Sequence, residues 1–316
     1  MLARAARMYY LENRSQAEIA EAIGVSRSNV SRVLSAARDT GIVEIRIHEP
    51  MARDTRLERA LRERFGLRSA MVAVIGPHQD PLTVTGDLAA DWLREQLGTV
   101  RSVALSWGSS VAAMVESTGL DENFPDVEVL PLVGGFSGVN AHQSANALIR
   151  TLAGRIGGRH RPLLAPAVVH SAANRDTLVS EPVIGEVLAA ATAAEIAVIG
   201  IGDVQHGASA SIVDAMALSP AEAALFAATG AVGDACTRFF DAEGRAVVSP
   251  ADGRVISIEL DALRTIPSVL AIAVGARKTE AVHGALAGGL ADVLVVDEEL
   301  ARGVLARETP VPTARS

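Results

Sequence analysis

Beyond Ala70 the chain alternates short apolar runs with longer amphipathic stretches, and no other feature restricts its fold as much. The runs fall at 71–75, 103–105, 127–132, 196–201, 255–258, 269–274 and 293–296. Between them lie helical patterns over 82–97, 111–117, 145–156, 182–191, 220–228 and 279–290. Alternation of this kind implies parallel strands joined by crossover helices. The expected fold class is α/β, an open doubly wound parallel sheet, whose ligands bind beyond the carboxyl ends of the strands.

The 316 residues exceed one average domain, and 49% of them are hydrophobic, so two domains are expected, one of them large. No apolar run approaches the roughly 18 residues of a membrane span, and Met1-Leu2-Ala3-Arg4 opens an amphipathic helix rather than a leader. A cytoplasmic protein with no membrane partner is expected. One cysteine, Cys236, can form neither an internal disulfide nor a cysteine-rich metal site, and reads as a small buried side chain. His142, His170, His206 and His283 share no metal-ligand spacing, so neither metal nor cofactor is expected.

The net charge of −8 argues against a protein that coats nucleic acid. Residues 1–50 nonetheless carry +1, and within them 26–38 hold Arg27, Arg32 and Arg38 with no acid. This segment also has the local grammar of a helix-turn-helix. Ser15-Gln16-Ala17-Glu18 is a capping box, Gly24 stops the helix that follows, and Ser26 caps the next. Ala20, Gly24, Val30 and Val33 fill the small, turn and branched apolar positions that the motif needs. A helical hairpin that merely packs is the plainer alternative. Under the motif reading, Arg27, Ser28, Asn29, Ser31 and Arg32 face a major groove of double-stranded operator DNA, where arginine donates twice to guanine and asparagine pairs with adenine. The period-two pattern from Ile42 to His48 suits a β-wing, which makes the expected domain a winged helix-turn-helix over 1–52. Residues 53–66 read as a linker helix with Leu57, Leu61 and Phe65 on one side, available to a second subunit, and 53–316 as the α/β domain. The last nine residues show no periodicity and are expected to lack regular structure.

Glycine-bearing turns follow several of the runs: Ser106-Trp107-Gly108-Ser109-Ser110, Gly134-Gly135, Gly200-Ile201-Gly202-Asp203, Gly230 to Asp234, and Gly275-Ala276-Arg277-Lys278, which holds the one lysine of the chain. A strand-loop-helix junction with hydroxyls and free helix-start amides suits an anion. Plainer readings stand beside this one. Ser109 or Ser110 can simply cap a helix, Asp234 can do the same, Lys278 can be a solvated charge, and Trp107 can be packing.

SWGSS at Ser106, PLVGG at Pro131, NALIRTLAG at Asn146, GAVGD at Gly230 with RFFD at Arg238, and the long segment from Gly275 occur in an order and spacing that resembles the SorC family of sugar-responsive bacterial regulators. The resemblance covers nearly the whole length. It implies a sensor domain similar to phosphosugar isomerases, a homodimer or homotetramer, and operator binding that changes with a phosphorylated sugar or polyol. It further implies that Ser106, Gly108, Ser109 and Ser110 cradle the effector phosphate, that Lys278 approaches the ligand, and that Asp234 accepts from sugar hydroxyls. Gly134 and Gly135 complete the expected effector set. The chain departs from the family by having serine for the frequent threonine in the hydroxyl loop and Ala276 for a frequent second glycine. The rival class is a phosphosugar isomerase or deaminase. Gly200-Ile201-Gly202 resembles a glucosamine-phosphate deaminase turn, but Asp203-Val204-Gln205-His206 does not continue that pattern, and no second partner for a catalytic base is identifiable. The expectation is a regulator and not an enzyme.

Overall fold

A computed structural model describes residues 1–43, 52–120, 123–136 and 141–307. The chain divides into two compact units, Met1–Pro50 and Met51–Ser316.

In the first unit, α1 (Leu2–Ala6) runs on as a π-helical turn over Arg7–Leu11, followed by α2 (Gln16–Ile23) and α3 (Arg27–Asp39). The local signals act as their chemistry requires. Ser15 Oγ accepts from the Glu18 amide while the Glu18 carboxylate accepts from the Ser15 amide, and Gly24 takes φ 71° at the turn. Ala5, Met8, Ile19, Val30 and Leu34 form the core of this unit. Ile42 and Val43 are not in a strand, and the rest of the expected wing lies outside the described residues, as do the last nine residues.

The second unit opens with α4 (Thr55–Phe65), β1 (Ser69–Ala73), α5 (Pro81–Leu97), β2 (Ser102–Leu105), α6 (Ser109–Glu116), β3 (Glu128–Pro131), α7 (Ala145–Arg155) and β4 (Arg159–His160). It continues with α8 (Ala172–Ser180), α9 (Pro182–Thr192), β5 (Ile196–Gly200), β6 (Gly202–Asp203), α10 (Gly207–Ala215), α11 (Pro220–Ala227), β7 (Gly233–Ala235) and β8 (Arg238–Phe240). It ends with α12 (Leu260–Leu263), β9 (Ser268–Ala273), α13 (Thr279–Ala287), β10 (Val293–Asp297) and α14 (Glu298–Ala306). Seven strands form a wholly parallel sheet in the order β1-β10-β9-β5-β2-β3-β4, and β6-β7-β8 form a small antiparallel sheet. Alternate residues serve opposite faces. Leu294 and Val296 pack into one apolar layer and Val293 and Val295 into the other, so both faces are covered, as a parallel sheet requires.

Two expectations are corrected here. Residues 255–258 are buried but make only isolated bridges, Val168 to Val255 and Val133 to Ser257, because an apolar run specifies burial and not sheet membership. The helix expected as a linker with dimer contacts has Leu57 and Leu61 in the core of its own unit, so that face is already covered. Just before it, Ala52 O accepts from the Val74 amide at 2.8 Å and the Asp54 amide donates to Val72 O at 3.0 Å, which ties the chain to the carboxyl end of β1. Arg53 and the Val72 amide both bond to the buried Glu58 carboxylate. No helix among the described residues is long and apolar enough to cross a membrane.

Candidate functional site

The sheet order reverses direction between β2 and β5, since β2 leads outward to β3 and β4 while β5 leads the other way to β9. Such a reversal opens a crevice at the carboxyl ends. Three adjacent strands deliver the candidate residues there: β2 leads into Ser106, β5 ends at Gly200, and β9 leads into the turn before Lys278. Ser106, Trp107, Gly108, Ser109, Ser110, Gly200, Ile201, Gly202, Ser209, Asp234, Cys236 and Lys278 line one cavity of about 50 Å³.

The hydroxyl loop is shaped by Gly108, whose φ of 108° and ψ of 172° belong to a region essentially restricted to glycine. From there α6 begins at once. Its first intrahelical donor is the Ala112 amide to Gly108 O, so the amides of Ser109, Ser110 and Val111 are the helix-start donors that seek an acceptor from outside. Ser106 is committed to the frame, since its amide donates to Val198 O and its hydroxyl accepts from the Gly200 amide at 3.1 Å. Trp107 stacks on Phe136 with ring centroids 4.8 Å apart, and is thus both wall and packing.

Asp234 is in β7 and does not cap a helix. One carboxylate oxygen accepts from Ser209 Oγ at 2.5 Å and the other from the Thr237 amide at 3.2 Å. Burial pushes its carboxyl above the usual carboxylate value, while Ser209, Thr237 and the Lys278 charge pull it down. Lys278 is half-buried and not a solvated charge. Burial draws its ammonium below the ordinary lysine value, opposed by Asp234 and Asp203. It makes no ion pair among the described residues, so the cavity holds a partly desolvated cation with no contacting counter-ion. Its turn is held by Gly275 at φ 94°, whose amide donates to Asp297 at 2.6 Å, and the same carboxylate caps α14 through the Leu300 amide. Cys236 begins the two-residue hairpin between β7 and β8 with φ 53°, followed by Thr237 at 68°. Burial pushes the Cys236 thiol up, with Asp234 adding to the effect, so it stays protonated.

Gly134 and Gly135 do not line this cavity. A Cβ on Gly134 would lie 2.6 Å from the carbonyl of Pro166, and the two amides donate to Ile256 O and Ala165 O, so these glycines serve close chain packing. Sequence reasoning missed Ser209 and Asp297. The strand-to-helix position of Asp297, followed by two acids, is a legible cap signal, whereas nothing local marks Ser209. Gly202 shows why the pair is exacting, because a Cβ there would lie 1.9 Å from Ser209 Oγ and 2.1 Å from Asp234 Oδ1. Gly202→Ala is therefore expected to destabilise the protein by about 2 kcal/mol, the cost of overpacking. Gly200→Ala, whose Cβ would meet nothing nearer than 3.5 Å, should leave thermal denaturation almost unchanged. Equal melting temperatures for the two variants would refute this account.

In the first unit, Arg27, Ser28, Asn29, Ser31 and Arg32 are all exposed on α3, opposite the buried Val30, Leu34 and Ala37. Ser26 Oγ accepts from the Asn29 amide at 3.3 Å and lies 2.9 Å from Ser28 Oγ, which fixes the start of the helix. The side chains of Arg27, Asn29 and Arg32 make no hydrogen bond or ion pair among the described residues and are free for a partner.

The Sugar-bind model, a sugar-binding domain family, matches residues 49–306, and the sigma-70 region 4 model matches residues 7–40. The deoxyribonucleoside regulator of Bacillus subtilis is 32% identical over 304 residues, spanning 95% of this chain and 96% of that protein. The chain belongs to the SorC family of transcription regulators. The full-length sorbitol operon regulator SorC of Klebsiella pneumoniae superposes with a TM-score of 0.73 at 28% identity, covering 96% of this chain and 98% of that one. A DeoR family regulator from Listeria monocytogenes gives 0.72 at 26% identity, covering 79% of this chain and 98% of its own.

Proposed function

We propose that this SorC-family regulator reads operator DNA with the Arg27–Arg32 face of α3, and that a phosphorylated sugar or polyol in the β2-β5-β9 cavity alters that binding. The observation that carries the reading is the meeting of the α6 start, the uncompensated Lys278 ammonium and the buried Asp234 carboxylate at a reversal of sheet order. The phosphate takes the amides and hydroxyls of Ser109 and Ser110, Lys278 supplies the opposite charge, and Asp234 accepts from a sugar hydroxyl. Residues 1–52 act as the operator reader and 53–316 as the sensor, whose first helix, α4, packs into the sensor core. In support of coupling, the hydrogen bonds that tie residues 52–54 to β1 hold Ala52 at the carboxyl end of that strand, the end of the sheet at which the cavity lies. The protein works in the cytoplasm as a homodimer or homotetramer, the symmetry that paired operator half-sites call for. The reading as a sensor and not a catalyst is supported by the names of its relatives, which are transcription regulators, and Asp234 serves to hold a hydroxyl.

The test is operator binding titrated with a panel of phosphorylated sugars across pH. Affinity for the effector should rise as the phosphate gains its second charge near about pH 6. It should then fall on the alkaline side earlier than an ordinary lysine dictates, because anion binding needs the ammonium and the unliganded value of Lys278 is depressed. An alkaline limb that stays flat beyond the ordinary lysine value removes Lys278 from the site. No preference for any fragment upstream of its own gene, with or without metabolites, overturns the function as a whole.

A further inference from the structure

We infer that the groove beside the cavity, where Gln205, His206 and Arg277 meet the Ala231-Val232 turn, is a second anion-recognising subsite for a carboxylate or second phosphate at the far end of the effector. This rests on the cavity reading above and narrows its ligand class to sugar derivatives with two anionic groups.

Size is the first argument. The cavity of about 50 Å³ is far below the roughly 300–1,000 Å³ that ligand sites offer, so it accepts the phosphate and the nearest hydroxyl of the sugar but not the whole molecule. The groove provides about 580 Å³. The two adjoin along the chain on both sides, with Gly202 and Lys278 in the cavity and Asp203 and Arg277 in the groove, and the charge of Asp203 acts on Lys278. A third space, which shares Ser109, also opens from the cavity, but Asp87 and Glu116 line it with no lysine or arginine, whereas the acids of the groove stand beside Arg277.

Charge is the second argument. Arg277 makes no hydrogen bond or ion pair among the described residues, although Glu280 stands three residues on in the same groove. Glu280 is taken by Arg307 at 2.9 Å, which leaves the Arg277 guanidinium unclaimed. His206 Nδ1 lies 2.7 Å from Asp203 Oδ2, and this contact orients the ring with Nε2 as its remaining polar atom. A planar fork and an oriented imidazole suit a carboxylate or phosphate, and Ala231 and Val232 supply apolar wall.

The test is calorimetric titration of the full-length protein with a hexose monophosphate, the matching bisphosphate and the matching phosphorylated sugar acid. One two-anion ligand is expected to bind at least about tenfold more tightly than the monophosphate, the strength of one charge-assisted bond. The ligand that gains tells a phosphate end from a carboxylate end. Arg277→Gln should erase this gain while leaving monophosphate affinity and melting temperature unchanged. The inference falls if neither two-anion ligand gains, or if Arg277→Gln weakens all three equally, and in both cases the cavity reading survives. Absence of binding by all three overturns the cavity reading and this subsite with it.

Discussion

Lys278→Ala is expected to weaken effector binding by about 100-fold, the upper range for a hydrogen bond to a charged group, while operator binding without effector stays as in the wild type. The lysine is the one cation in the cavity and stands on a turn whose geometry is fixed by Gly275 and Asp297. Its removal takes away the ligand's counter-charge without dismantling the turn. Two effects on the unliganded protein oppose each other: a desolvated cation disappears, and Asp234 loses a charge that pulled its carboxyl down. The melting temperature of the unliganded variant should therefore stay near that of the wild type. What vanishes is the rise on adding ligand. Effector at 100 times the wild-type dissociation constant stabilises by about 2.7 kcal/mol, and after a 100-fold loss of affinity by only about 0.4 kcal/mol. A full rise in the variant at wild-type effector concentration shows that Lys278 does not touch the ligand.

Asn29→Ala combined with Arg32→Ala is expected to cost about 2–6 kcal/mol of discrimination between operator and scrambled DNA, from about 1–3 kcal/mol for each base-reading side chain. Folding should be unaffected, because both side chains are exposed and the cap bond from position 29 to Ser26 Oγ comes from the backbone amide and survives the substitution. Loss of Arg32 also removes a charge near the phosphates, so non-specific affinity and its salt dependence decline slightly. Binding to operator and scrambled fragments at one fixed salt concentration separates the two effects. An unchanged ratio between them moves recognition off this face of α3.

The helix-turn-helix was legible because its determinants are local. A capping box, a left-handed glycine and a serine cap act within four residues, and the observed bounds of α2 and α3 follow from them. The sheet was legible for a similar reason, since six of the seven apolar runs became its strands. The seventh, at 255–258, shared their composition but not their neighbours. The site was readable where a turn follows a strand, as at Ser106 to Ser110 and at Lys278. It was not readable where a partner comes from far along the chain. Ser209 reaches Asp234 across 25 residues, and only the pairing of Gly202 with Asp234 in the small sheet brings them together. Gly134 shows the converse. A glycine announces that something comes close, but the sequence does not say whether that is a ligand or, as here, the backbone of Pro166.

The first strand of the large sheet, β1, lies at an edge and, among the strands of that sheet, pairs with β10, the last to be made. During synthesis the described core of the first unit, from Ala5 to Leu34, is complete once residue 39 has emerged, whereas β1 waits for 293–297. A prematurely terminated chain thus carries a finished DNA reader on an unfinished sensor. Such fragments would occupy operators deaf to any metabolite, which makes prompt clearance of incomplete chains a condition for faithful induction.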